Sequence, residues 1–389
     1  MPNKTYIDAF DPEKKSLTTC ANCGVCLQRC PVMKMDKEES KKEITRLLKG
    51  EEPERVLNEC TFCFGCNHYC PHDLKPYALI MERLAERTNT RGGIPTPVRY
   101  AFNGDGDSCM MWDVYENLAP YEKEILDKWQ VTPPKSKEVL FIGCIGREIP
   151  YGIEHSTALK DLPKYGPRDA CCGELTFRFG DYQAFSKRVD DTLKLFKDLD
   201  TERLVCYCGS CANFFGNIWP NYHGVKLPFE VTSIWEWLWE RVQKGKVQCR
   251  SKLSGKVAVH DSCYGSELGD SFFNAVRGLH EAVGLEVVEL ENNRYDGLSC
   301  GMLTMSRNFN VKDVMAATQK KIEQVTQSGV LDVTTHCPGC YDVLATATKE
   351  SDIKCHYGLE EILWALGDEV EIPLIHRLNL QKKMRPNRK

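Results

Sequence analysis

Cys20-Ala-Asn-Cys23-Gly-Val-Cys26-Leu-Gln-Arg-Cys30-Pro31 is repeated further on as Cys60-Thr-Phe-Cys63-Phe-Gly-Cys66-Asn-His-Tyr-Cys70-Pro71. Three cysteines at CxxC spacing, then a fourth followed by proline, form the bacterial run that wraps an iron–sulfur cluster. In a chain with two runs, the first three thiolates hold one cluster and the fourth reaches across to the other. The pattern therefore assigns Cys20, Cys23, Cys26 and Cys70 to one cubane [4Fe–4S] cluster, and Cys60, Cys63, Cys66 and Cys30 to a second. Gly24 and Gly65 are expected to let the backbone approach the inorganic sulfides closely. Four thiolates also suit a tetrahedral zinc ion. Zinc explains poorly why two complete runs both end in Cys-Pro.

The rest of the cysteines extend the same chemistry. The chain has 21 of them in 389 residues. Disulfide scaffolds belong to short exported chains. This chain is long, and Met1-Pro2-Asn3-Lys4-Thr5 shows no apolar signal segment. A reducing, cytoplasmic setting and oxygen-sensitive anaerobic metabolism are the expectation. The net charge of −4 gives no basic excess for a nucleic-acid partner. No apolar run has the ~18 residues of a spanning helix, so membrane contact is expected only at the periphery, through a partner.

Between and after the two runs the apolar spacing is helical. Ile44, Leu47 and Leu48 share one side of a helix over 38–48, and Leu79, Ile80 and Leu84 mark another over 77–85. Arg91-Gly-Gly-Ile-Pro-Thr-Pro97 is a turn-rich break and Thr132-Pro-Pro-Lys135 a second. Between them, Asn103-Gly-Asp-Gly-Asp107 reads as a surface loop. It lacks the spacing and closing glutamate of a calcium loop.

Beyond residue 135 the chain repeats itself. Val139-Leu-Phe-Ile-Gly-Cys144 corresponds to Val257-Ala-Val-His-Asp-Ser-Cys263. Cys171-Cys172-Gly173 corresponds to Ser299-Cys300-Gly301, and Cys208-Gly-Ser-Cys211 to Cys337-Pro-Gly-Cys340. Helices match too: Phe185, Val189, Leu193 and Phe196 against Val311, Met315, Thr318, Ile322 and Val325. Ile234-Trp-Glu-Trp-Leu238 pairs with Ile362-Leu-Trp-Ala-Leu366. Alternating strands and helices predict two α/β modules with parallel sheets. The cysteines follow strands, so they are expected at carboxyl ends, where such sheets bind ligands. Trp235, Trp237 and Trp239 read as core packing with a subunit contact, rather than as a quinone patch. His260 and His336 stand close to ligand cysteines as outer donors or as packed histidines. Cys109, Cys206, Cys249 and Cys355 read as plain thiols, with Cys206 near the Cys208 site.

The N-terminal part resembles the α-helical ferredoxin module of succinate dehydrogenase iron–sulfur subunits. The pattern Cys144, Cys171-Cys172-Gly173, Cys208 and Cys211 resembles the CCG domain. Together they resemble the D-type subunit of heterodisulfide reductase. Iron–sulfur subunits of anaerobic glycerol-3-phosphate dehydrogenase and glycolate oxidase, and complexes reducing aromatic-CoA thioesters, have related architectures. The resemblance implies a multidomain chain: an α-helical ferredoxin domain (1–96), a linker (97–135), a first CCG module (136–250), a second (251–376) and a basic tail (377–389).

It also implies a noncubane [4Fe–4S] cluster on Cys144, Cys171, Cys172, Cys208 and Cys211. Adjacent cysteines do not easily chelate one iron, but they can serve neighbouring irons. In the second module Ser299 replaces the first paired cysteine. There Cys263, Cys300, Cys337 and Cys340 are expected to hold a third cubane, an altered cluster or zinc. No GxGxxG follows a strand and no GxxxxGK[ST] occurs, so flavin- or iron–sulfur-containing partner subunits must supply or take electrons. The expected function is electron relay within a multi-subunit oxidoreductase. Disulfide reduction and a quinone-facing role are the alternatives.

Overall fold

The computed structural model describes residues 6, 20–102, 109–369 and 373–384. The 103–107 loop and the last residues of the 377–389 tail lie outside the described residues. The chain begins with short helices around the two cysteine runs: α1 (Val25–Gln28), α2 (Lys37–Lys49), α3 (Val56–Glu59), α4 (Gly65–Tyr69) and α5 (Tyr77–Thr90). Asp36 and Glu39 close a capping box on α2, which starts that helix sharply. Ile44 and Leu47 face inward, while Leu48 turns partly outward.

The buried Glu43 carboxylate accepts the backbone N–H groups of Glu54, Arg55 and Val56 at 2.9–3.0 Å. It satisfies the donors at the start of α3, just ahead of Cys60. Helix α5 buries Tyr77, Leu79, Ile80 and Leu84.

The stretch 97–135, read from its Gly and Pro punctuation as a linker, is instead largely helical among its described residues. It holds α6 (Thr96–Arg99), α7 (Met110–Glu116) and α8 (Pro120–Trp129). Met110, Met111, Val114 and Trp129 are buried, so these helices belong to the core.

A first parallel sheet follows, with α9 (Pro150–Glu154), α10 (Glu174–Arg178), α11 (Tyr182–Phe196), α12 (Gly209–Asn213) and α13 (Ile234–Gln243). Its strands are β1 (Ser136–Phe141), β2 (Lys164–Tyr165), β3 (Thr201–Cys206) and β4 (Glu230–Ser233), ordered β2-β1-β3-β4. Helix α12 runs into a wide π-helical stretch, Phe214–His223.

A second parallel sheet has strands β5 (Lys256–His260), β6 (Glu286–Val288), β7 (Asp332–Thr335) and β8 (Lys354–Tyr357), ordered β6-β5-β7-β8. Its helices are α14 (Gly265–Leu268), α15 (Asp270–Ala282), α16 (Met305–Asn308), α17 (Val311–Gln327), α18 (Pro338–Ala347) and α19 (Gly358–Ala365). On α17, Thr318 and Val325 are buried, whereas Val311 and Met315 face solvent.

The two sheets share a core. Trp235 and Trp237 of α13 are buried with Leu140 and Val205 of one sheet and Val259 of the other. Trp235 stacks on His280 with ring centroids 6.0 Å apart. These tryptophans therefore join the two halves from inside. The N-terminal domain packs as closely on the first module: a Cβ at Gly180 (φ +80°) would meet the α5 backbone at Ala85 at 3.0 Å.

The 377–389 tail begins inside α20 (Leu374–Met384), which docks rather than trailing free. Arg377 grips the buried Glu122 of α8 at 2.6 and 2.7 Å. Gln381 donates to Glu148, whose carboxyl burial pushes up to about 8. A carboxyl raised above its unfolded value near 4.5 favours the fold in its protonated form. Its contribution is full below pH 4.5 and drains away as pH rises toward about 8, by at most about 1.4 kcal/mol per pH unit. Anaerobic thermal melts should fall across that window, and Glu148→Gln should flatten the fall. An unchanged slope in the variant would remove Glu148 from this role.

Candidate metal centres

Strand order decides where the cysteines meet. In β2-β1-β3-β4 the chain turns one way from β1 and the other way from β3, so a crevice opens past the carboxyl ends of these two strands. Cys144 follows β1, and Cys208 and Cys211 follow β3. The second sheet has the same switch between β5 and β7, followed by Cys263 and by Cys337 and Cys340.

In the N-terminal domain two groups of thiols assemble. Cys26 feels the charges of Cys20, Cys23 and Cys70. Cys60 feels those of Cys63 and Cys30, and Cys66 lies between the groups, nearest in charge to Cys26 and then to Cys60, Cys63 and Cys30. Each group thus takes its fourth member from the other run. Burial and mutual repulsion push Cys26 and Cys60 up to about 12 and Cys30 up to about 11. Arg307, which donates to the Cys60 carbonyl, offsets this only in part. Thiolates persist in such a place only when a cation shares the site. No disulfide joins any of the cysteines. Free thiols gathered in this way are a donor set that fits iron–sulfur clusters.

The glycines of these loops have steric roles of their own. Gly24 is left-handed (φ +73°), and a Cβ there would meet the α2 backbone at Ser40 and Lys41 at 2.9 Å. It lets α2 close on the loop. In the second run Phe64 takes the corresponding left-handed position (φ 66°), and Gly65 is the first residue of α4, against the Tyr69 ring.

In the first module Cys144 lies by Cys171 and Cys208. Cys172 and Cys208 both hydrogen-bond Cys211. Cys171 is lowered to about 6, first by a hydrogen bond from Cys172, then by the Gly173 N–H, Arg188 and Arg147. Arg147 is fully buried and donates to the Pro167 and Ala170 carbonyls and to Tyr115 Oη. It fixes the loop that delivers the paired cysteines. Trp219 Nε1 holds the Cys172 carbonyl at 3.0 Å.

In the second module Cys300 and Cys337 hydrogen-bond Cys340, and Cys263 feels Cys300 and Cys337. Ser299 Oγ accepts the Gly301 N–H at 3.1 Å, as Cys171 Sγ accepts the Gly173 N–H at 3.4 Å. The serine thus holds the place of the missing thiol. Lys321 is buried beside Cys300, Cys340 and Asp261, and burial lowers it to about 8.

His336 is bonded through Nε2 to Ser262. His260 lies at the thiols themselves, its nitrogen within 4.8 Å of Cys300 and Cys340 Sγ. The sequence signal for this was only its place three residues before Cys263. Of the remaining cysteines, Cys206 feels Cys208, Cys355 packs beside Cys300, Cys249 donates to the Ser251 carbonyl, and Cys109 is buried among methionines.

Arg178 ties the second cysteine run to both modules, and it is the residue that sequence reasoning missed. It ends α10, which starts directly after Cys171-Cys172-Gly173. Its guanidinium donates to the Phe62 carbonyl between Cys60 and Cys63, to Cys263 Sγ at 3.1 Å and to Glu174. Ser266 Oγ bridges the Cys63 and Cys263 carbonyls at 3.1 and 3.0 Å. Asn67, next to Cys66, donates to Tyr222 Oη at 3.0 Å, in the π-helical stretch that follows Cys211. Tyr264 sits between the modules: it bonds the His336 carbonyl, and its ring lies against Gly209, beside Cys208.

Comparison with known proteins agrees with this arrangement. The 4Fe-4S dicluster domain family matches residues 16–74, and the cysteine-rich domain (CCG) family matches 140–216 and again 257–345. An EtfAB:quinone oxidoreductase from Syntrophomonas wolfei is 22% identical over 332 residues, which are 79% of this chain and 46% of that protein. The chain thus spans less than half of that relative's length.

The D-type subunit of a dihydromethanophenazine:CoB–CoM heterodisulfide reductase from Methanosarcina barkeri is 23% identical over 341 residues, covering 82% of this chain and 80% of that one. The B-type subunit of a fumarate reductase (CoM/CoB) from Methanothermobacter marburgensis is 23% identical over 381 residues, 92% and 74%.

Replacing Arg178 tests how far the domains depend on it. Arg178→Met leaves the Phe62 carbonyl without its donor and should cost about 1–3 kcal/mol, read as a lower denaturation midpoint under anaerobic conditions. A midpoint equal to that of the unaltered chain would show that the contact does not hold the domains together.

Proposed function

We propose that this chain, which matches a 4Fe-4S dicluster domain and two cysteine-rich CCG domains and resembles the D-type subunit of heterodisulfide reductase, is an electron-transfer subunit of a larger, anaerobic oxidoreductase complex. It passes electrons between two cubane [4Fe–4S] clusters and a noncubane [4Fe–4S] cluster. Cys20, Cys23, Cys26 and Cys70 hold one cubane, and Cys60, Cys63, Cys66 and Cys30 the other. Cys144, Cys171, Cys172, Cys208 and Cys211 hold the noncubane cluster. The ferredoxin part is 1–96, and the modules 136–250 and 251–376 are an internal repeat, a reading supported by their equal strand orders and the paired CCG matches.

The observation that carries this reading is helix α10. It runs from the paired cysteines of the first module to the Phe62 carbonyl inside the second cysteine run. Bound clusters supply one-electron carriers whose potentials follow charge, hydrogen bonds and solvent exposure. The protein's own part is to hold those sites a few bonds apart and shielded from water. Arg178 and Asn67 connect the N-terminal domain to the modules by direct hydrogen bonds, and the aromatic residues Phe177, Phe214 and Tyr222 pack beside them.

No helix among the described residues is long and apolar enough to cross a membrane. We place the protein in the cytoplasm, docked to flavin- or iron–sulfur-containing subunits.

A second reading has support of its own. Three relatives are named as the D-type subunit of heterodisulfide reductase, and the first module has a complete set of five thiols. On that reading the first module is where a disulfide is cleaved. Adding thiols to the oxidised protein should then create a new paramagnetic signal, whereas a pure relay leaves the spectrum unchanged.

Both readings share one test. Anaerobically purified protein should hold at least about twelve irons with matching acid-labile sulfide, and about sixteen if the second module also carries a cluster. Cys171→Ser, which copies Ser299, should remove about four irons and spare the N-terminal signals. Colourless, zinc-loaded protein would end both readings.

A further inference from the structure

The second module pairs one lost donor with one gained donor. Ser299 stands where the first module has Cys171, so four thiols remain there: Cys263, Cys300, Cys337 and Cys340. Strand register shows what replaces the fifth. Phe141 lies opposite Cys206 across β1 and β3, and His260 lies opposite Thr335 across β5 and β7. Cys206 and Thr335 each stand two residues before the first cysteine of their CxxC pair. His260 is therefore the counterpart of Phe141, which in the first module packs on Phe196 and Phe215.

An imidazole in that place has no packing reason to be polar. His260 is 0% exposed, and neither ring nitrogen has a hydrogen-bond partner. The other buried histidines of this module are anchored. His280 is bonded by both nitrogens, to the Val276 carbonyl and Thr334 Oγ1, and His336 by Nε2 to Ser262. What His260 does face is sulfur: a ring nitrogen and the Sγ atoms of Cys300 and Cys340 all lie within 4.8 Å of one another. A buried, unpartnered nitrogen aimed at two thiols is the arrangement of a metal ligand.

We propose that His260 is an iron ligand, completing with Cys263, Cys300, Cys337 and Cys340 a mixed thiolate–imidazole iron–sulfur cluster in the second module. This rests on the reading of the modules as cluster-bearing. Each module then offers five donors. Exchanging a thiolate for a neutral imidazole makes the site one charge less negative, and histidine ligation raises the potential of an iron–sulfur centre. Buried Lys321, beside Cys300 and Cys340, acts in the same direction. The second-module centre should then have a higher potential than the same site with a fifth thiolate in place of His260.

The test uses the full-length chain, purified without oxygen after growth on ¹⁵N-histidine, and two substitutions. His260→Phe copies the first module, and His260→Cys supplies a fifth thiolate. Pulsed EPR of the unaltered protein should show a nitrogen coupling of directly bonded strength, absent from both variants. His260→Phe should lose up to about four irons, while His260→Cys keeps them with a lower midpoint potential for that one centre.

The proposal falls if the unaltered protein has no such coupling, if His260→Phe retains it, or if metal analysis finds zinc in place of the second-module iron. Should His260→Phe fold poorly, the coupling and potential in His260→Cys decide the matter. Survival of the N-terminal cluster signals in every variant separates this outcome from failure of the relay reading, which would remove those signals too.

Discussion

Everything in this protein answers to one constraint: many thiols are gathered out of water, where each resists ionisation and repels its neighbours once charged. Cys26, Cys60 and Cys263 are all pushed up to about 12. The fold therefore does more than collect donors. In the modules it also brings compensating cations to them: Arg147 to Cys144 and Cys171, Arg178 to Cys263, and Lys321 to Cys300 and Cys340. Each of these cations is buried, and each is tied to further groups. Arg147 holds the loop before Cys171, Arg178 holds the N-terminal domain, and Lys321 holds Gln324 of its own helix. At Arg178, charge compensation and domain assembly are thus the same contacts. The N-terminal domain follows the rule as well, because Arg307 of the second module reaches the Glu59 and Cys60 carbonyls and eases the burial of Cys60.

The parallel sheets supply the rest. A strand that ends in a switch-point crevice delivers its next residues to a common place, whatever their identity. That explains why cysteines so far apart in sequence, such as Cys144 and Cys208, meet without a long loop. It also explains why donor type can change while the scaffold persists. Phe141 and His260 occupy matching register, one packing on aromatic rings and the other facing sulfur.

The runs of cysteines and the strand–cysteine pattern were legible because ligand spacing and apolar periodicity are local properties. Helix α2, helix α5 and strands β1, β3, β5 and β7 follow from such periodicity. What escaped was long-range. Residues 97–135 are rich in breaks, yet their helices carry Met110, Val114 and Trp129 into the core, which only tertiary contact reveals. Helix α20 has a weak apolar stripe and is held by Arg377 on Glu122, an ion pair across most of the chain. Arg178 is one arginine among many until its three acceptors come from three different segments. Gly65 misled because the chain placed the left-handed turn one residue earlier, at Phe64, which the surrounding core tolerates.

The two modules finally differ in what surrounds their thiols. The first keeps its thiols under two arginines and touches the N-terminal domain through α10. The second meets the same domain through Cys263, Ser266 and Arg178, and the first module through Tyr264. Neither module is therefore an appendage of the other, since both border the segment from Cys60 to Cys66. The two thiol groups thus border one segment but differ in donor set and in the cations beside them. Direct hydrogen bonds from Arg178 of the first module and Ser266 of the second tie both to that segment.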